Sequence, residues 1–105
     1  MIEVHFDRDA EKLTVRGHAG SAEAGKDLIC AGASTLVFTL ADTLESLRSD
    51  SFQPRITLEP GYAVFDIKPE DGMTVYAAIA AMFTVCNGFR RLAAEDPKFV
   101  KFTEA

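Results

Sequence analysis

His18 and Cys30 stand twelve positions apart in a segment unlike the rest of the chain, Gly17-His18-Ala19-Gly20-Ser21-Ala22-Glu23-Ala24-Gly25-Lys26-Asp27-Leu28-Ile29-Cys30-Ala31-Gly32-Ala33-Ser34. A histidine closes one patterned run, small residues and glycines follow, and a cysteine opens a second run. That order suits nucleophilic catalysis. The reactive form of cysteine is the thiolate, and the free amides and dipole of a helix N-terminus favour negative charge. A nearby imidazole can take the thiol proton and return it to a leaving amine. Free amides around Cys30 and Ala31 are the expected donors to the oxyanion of a tetrahedral intermediate. The small-residue stretch 19–26 reads as a mobile loop able to close over a peptide.

Each of these residues also has a plainer reading. A cysteine beside an apolar helix face is often a small buried hydrophobe, although Cys30 falls at the edge of the stripe, not at its centre. His18 could simply end a strand. Asp27 could cap the helix through the Ile29 or Cys30 amide, or orient His18 as a third catalytic member. A carboxylate beside a thiolate also opposes its ionisation. Ser34, one turn beyond Cys30, either lines the same cleft or packs between helices. Cys86 reads as inert core, and His5 as a solvent-facing strand residue. The two histidines and two cysteines show no close ligand pair of the kind structural zinc sites use.

The elements that must position these groups follow from periodicity. Ile2–Phe6 and Leu13–Arg16 alternate apolar and polar, the period of half-buried strands, and form a hairpin. Asp27 precedes a helix whose Ile29, Ala33, Leu36, Val37, Leu40, Leu44 and Leu47 recur at steps of three and four, ending near Leu47 or Arg48. Arg55–Glu59 and Tyr62–Lys68 read as strands around a Pro60-Gly61 turn. A break at Pro69–Gly72 starts a second helix over Met73–Ala94. Tyr76, Ile79, Ala80, Phe83, Cys86, Leu92 and Ala93 are its expected apolar stripe, widened by Met82, Val85 and Phe89. Glu70 and Asp71 would serve that helix's positive end and Arg90-Arg91 its negative end. Lys98–Thr103 is the last strand. The order ββαββαβ predicts one α+β domain over residues 1–105, a mainly antiparallel sheet with both helices on one face.

The 105 residues suffice for one core, and a hydrophobic fraction of 48% fits a globular fold. A net charge of −5 argues against a nucleic-acid partner and suits a basic peptide. No apolar run reads as long enough to span a bilayer, and Met1-Ile2-Glu3-Val4 does not begin like a signal peptide. The expectation is a cytoplasmic protein with two free thiols.

Gly17-His18-Ala19, followed by Gly25-Lys26-Asp27-Leu28-Ile29-Cys30-Ala31-Gly32-Ala33-Ser34, resembles the signature of the ribosomal-processing cysteine protease family, Prp. The spacing of His to Cys, the Asp three residues before Cys and the small residues after it carry the likeness. Leu28-Ile29 stands where Ile-Val is commoner, and the stretch between Gly20 and Gly25 departs from the family in detail. The resemblance implies Cys30 as nucleophile and His18 as its dyad partner, with no metal or organic cofactor. It further implies a homodimer that removes a short N-terminal extension from large-subunit ribosomal protein twenty-seven. Two other readings remain open from the residues: a ribosome-assembly module that binds its ribosomal protein without cutting it, and a thiol redox sensor.

Overall fold

Both alternating runs at the start of the chain become strands in the computed structural model, which describes residues 1–23, 25–67 and 72–105. β1 (Ile2–Asp7) and β2 (Lys12–Arg16) pair antiparallel, with Val4 opposite Val15 and Phe6 opposite Leu13. β3 (Arg55–Glu59) and β4 (Tyr62–Asp66) form a second hairpin around Pro60-Gly61. β4 lies against β2, and β5 (Val100–Glu104) runs parallel to β1, so the sheet order is β3-β4-β2-β1-β5. The sheet is mainly antiparallel, as expected, with one parallel pair at its edge.

Alternation assigns the two faces. Ile2, Val4, Phe6, Leu13, Val15, Ala63, Phe65 and Val100 point into a single core. Glu3, His5, Arg16 and Lys101 occupy the opposite, exposed face. His5 there bonds Thr103 Oγ1 at 2.7 Å, the solvent-facing place expected of it. Helices α1 (Leu28–Leu47) and α2 (Met73–Glu95) cover the apolar face. Their Leu40, Leu44, Met82 and Phe89 are almost wholly shielded from water, each worth about 1.5–3 kcal/mol of transfer free energy. The helices approach closely at Gly88, where a Cβ would stand 2.6 Å from Leu36 Cδ2.

Several expectations need correction. α1 is 20 residues long and, by length and composition alone, apolar enough to cross a membrane; its Ala33, Leu40, Ala41 and Leu44 pack into the core. The buried face of α2 is Val75, Ala78, Met82, Val85, Cys86 and Phe89. Tyr76, Ala80 and Phe83 are exposed, while Ile79, Leu92 and Ala93 are half-buried. An apolar residue at nearly every position leaves periodicity unable to single out the inward face. α2 also runs on to Glu95, so Arg90 and Arg91 lie short of its last turn. Arg90 instead bonds Asn87 and Glu104 and stacks over Phe102. A turn through Phe99 delays β5 to Val100. β4 ends at Asp66, and the capping role expected of Glu70 and Asp71 lies outside the described residues.

Candidate active site

The N-terminus of α1 is built around one carboxylate. Asp27 has extended backbone angles (φ −85°, ψ 101°) and its Oδ1 accepts the Ile29 amide at 3.1 Å and the Cys30 amide at 3.0 Å. This is the N-cap reading of Asp27, which fixes where the helix begins and therefore where Cys30 stands. The same carboxylate organises the preceding loop. Ser21 donates its hydroxyl to Oδ1 at 2.6 Å and its amide to Oδ2 at 2.9 Å, and the Ala22 amide reaches Oδ2 at 3.4 Å. The Ser21 hydroxyl first, then the Cys30 amide, hold the Asp27 carboxyl well below the usual carboxylate range. They outweigh the upward push of burial, and the Ser21 and Ala22 amides add to them. Among the described residues no hydrogen bond joins Asp27 to His18.

Cys30 occupies the first turn of α1, half-buried at the edge of the apolar stripe. Its sulfur accepts the backbone N–H of Ala19 at 3.2 Å. The amides expected to be free around it are engaged: Cys30 N–H serves the Asp27 carboxylate, and Ala31 N–H donates to the Asp27 carbonyl at 3.0 Å. The carboxylate cap has taken the Cys30 donor, and the first intrahelical bond takes that of Ala31.

His18 leaves the end of β2 on a backbone held from two sides. The Gly17 amide donates to Gly61 O at 2.8 Å, and the Met1 ammonium donates to His18 O at 2.7 Å. The imidazole lies over the β3–β4 turn, where a Cβ on Gly61 would meet Nε2 at 2.7 Å. With φ +69°, Gly61 adopts a turn conformation that side chains disfavour, and its bare α-carbon also makes room for the ring.

His18, Cys30 and Ser34 open into one cavity of about 480 Å³ between α1 and the inner face of the β3–β4 hairpin. Ser34 thus lines the cleft. His18 and Cys30 share the cavity, and among the described residues no hydrogen bond joins them. Phe38 on α1 and Leu58 on β3 stand exposed at its walls, 57% and 44% accessible. The wall from Leu58 to Tyr62 was not anticipated. Pro60-Gly61 read only as a turn, because periodicity does not tell which hairpin will pair with β2.

Cys86 fills the expected structural role. It is fully buried on α2, and burial pushes its thiol up to about 11, with Glu104 adding to that and Arg90 opposing it.

The sequence profile described as cysteine protease Prp matches residues 1–101. The chain belongs to that family. As a Prp family member it is a cysteine protease, which sets aside the reading as a binding module without catalysis. No curated protein matches the sequence. Its fold is that of the essential ribosomal processing protease Prp of S. aureus. The similarity holds with a covalently linked product peptide (TM-score 0.84, 22% identity) and with a substrate peptide (TM-score 0.77, 21% identity), over all of both chains each time. SMU.848 from Streptococcus mutans is similar over 98% of this chain and 90% of its own, with TM-score 0.71 and 26% identity.

Proposed function

We propose that this Prp family protease acts through a Cys30–His18 dyad in ribosome maturation. The reading is that it removes the N-terminal extension of large-subunit ribosomal protein twenty-seven. The observation that carries the catalytic part is the placement of Cys30 at a capped helix start, opening into the same cleft as His18. The S. aureus Prp structures with product and substrate peptides support the processing role.

In this mechanism His18 takes the proton of Cys30, and the thiolate attacks the scissile carbonyl carbon. A C–S bond forms as the carbonyl π pair moves onto oxygen. Collapse breaks the C–N bond, and the departing amine takes the proton from the imidazolium. Water then adds to the thioester while His18 takes its proton, and release of the C–S bond returns the thiolate. Asp27 acts through the helix it caps, and Ser34 borders the peptide. The enzyme works in the cytoplasm as a homodimer, with exposed Tyr76 and Phe83 of α2 supplying apolar surface for a second copy.

The test is incubation with the host's full-length ribosomal protein precursor, locating any new N-terminus by mass spectrometry. A single shortened product with wild-type protein, and none with Cys30→Ala or His18→Ala, is the expected result. Normal cleavage by purified Cys30→Ala protein would refute the dyad. An intact precursor beside cleavage of another protein would refute the substrate.

A further inference from the structure

The dyad leaves one catalytic requirement unassigned, the donor that stabilises the oxyanion. Two amides that a helix start would offer are already committed, Cys30 N–H to the Asp27 carboxylate and Ala31 N–H to the Asp27 carbonyl. One backbone donor is aimed at the nucleophile itself: Ala19 N–H, 3.2 Å from Cys30 Sγ. We propose that the Ala19 backbone amide is the oxyanion donor of this protease. The inference rests on the Cys30 dyad proposed above and deepens it.

The argument follows the charge. Before attack the negative charge of the reactive form sits on sulfur, where Ala19 N–H already points. As the C–S bond forms, the carbonyl π pair moves to oxygen and sulfur becomes neutral. The oxyanion is two bonds from the sulfur, so a donor within hydrogen-bond distance of one needs only a short shift to reach the other. When the intermediate collapses, the C=O bond re-forms, the C–N bond breaks and the amine takes its proton from His18. One amide thus serves the charge at its origin and at its destination. Its bond strengthens where charge develops, which is what accelerates the step.

The setting supports this use. Ala19 is 3% exposed, so water competes little for its donor. It is carried between two fixed points. On one side His18 is tied through its carbonyl to Met1; on the other Ser21 is tied twice to Asp27. A donor held this way is oriented before the reaction begins, which is the condition for a large electrostatic effect.

The experiment replaces Ala19 by lactic acid, converting its amide to an ester and deleting the N–H while keeping the methyl group. Cleavage of a peptide that the wild-type enzyme cuts is compared with alkylation of Cys30 by iodoacetamide, which needs the thiolate but forms no oxyanion. The expected result is a fall in kcat of about 100-fold or more, with KM and the alkylation rate within a few-fold of wild type. Equal losses in cleavage and alkylation would overturn the proposal, because the amide would then act on sulfur alone; so would unchanged cleavage.

An independent measurement uses unsubstituted protein. A peptide aldehyde adds to Cys30 as a tetrahedral hemithioacetal and should shift the Ala19 amide proton downfield, whereas iodoacetamide should not. No difference between the two would overturn the assignment. Cleavage by Cys30→Ala would instead remove the dyad reading itself, so the two failures are distinguishable.

Discussion

The two cysteines of this chain have the same side chain and opposite surroundings. Cys30 sits where a helix begins, half-buried, its sulfur facing a polypeptide amide and a cleft. Cys86 sits in the middle of the longer helix with no accessible surface, enclosed by hydrocarbon that pushes its thiol up to about 11. The polar end is organised by hydrogen bonds to one carboxylate; the apolar centre is organised by packing. Position along a helix, rather than residue type, separates a thiol open to a cleft from a filler of space.

The largest effect that could break this comparison is loss of activity. Cys30→Ala should lower kcat/KM by about 10³-fold or more while Tm stays near wild type. Cys86→Ala should leave kcat intact and cost about 1–2 kcal/mol of stability by urea unfolding. The reverse pattern would mean the roles have been exchanged. Iodoacetamide should accordingly label Cys30 in the native protein and Cys86 only after unfolding, as peptide mapping would reveal.

A smaller loss is expected from filling the seat of the imidazole. Gly61→Ala places a methyl group against His18 Nε2, and the Gly17–Gly61 hydrogen bond prevents the turn from receding. The ring must move by about 1 Å to reach ordinary contact. Steady-state kinetics should register a fall in kcat of roughly 10-fold or more. Unchanged kcat would mean that the seat does not position the ring.

Asp27→Asn sharpens the polar side. Asparagine still caps, but it removes the charge that gathers Ser21, Ala22, Ile29 and Cys30. The depressed carboxyl of Asp27 contributes stability that is fully present above the unfolded-state value of about 3.9 and is lost as pH falls below it. Wild type should therefore lose Tm more steeply than Asp27→Asn below about pH 4.

Cys86 gives the smallest and opposite dependence. Its raised thiol favours the folded protein until the unfolded chain begins to ionise, so stability falls as pH climbs from about 9 toward about 11. Cys86→Ala should lack that part of the alkaline decline in a Tm–pH series.

Most of the fold was legible because its elements obey one period each. β3 begins and ends where alternation placed it, and α1 ends at Leu47 with the stripe that spacing assigned. Asp27 announced itself as a cap because its residue type and its distance before Cys30 both fit. The face of α2 was not legible, since Tyr76 and Phe83 satisfy the same pattern as Met82 and Phe89. Nor were the cleft wall at Gly61, the Ser21–Asp27 tie and the occupied Cys30 and Ala31 amides. Those depend on where chain segments meet and on which acceptor claims each donor, and a one-dimensional pattern records neither.

The parallel pairing of β5 with β1 has a temporal consequence. Ile2 lines the cleft, and its amide bonds Phe99 O just before its strand meets Val100. A nascent chain displays His18 and Cys30 long before the ribosome has translated the stretch that borders β1. Until residues 99–104 emerge, one flank of the first strand is bare and the sheet beneath the cleft is incomplete. The floor of the cleft is therefore finished only when residues 99–104 join β1, after His18 and Cys30 have both been made.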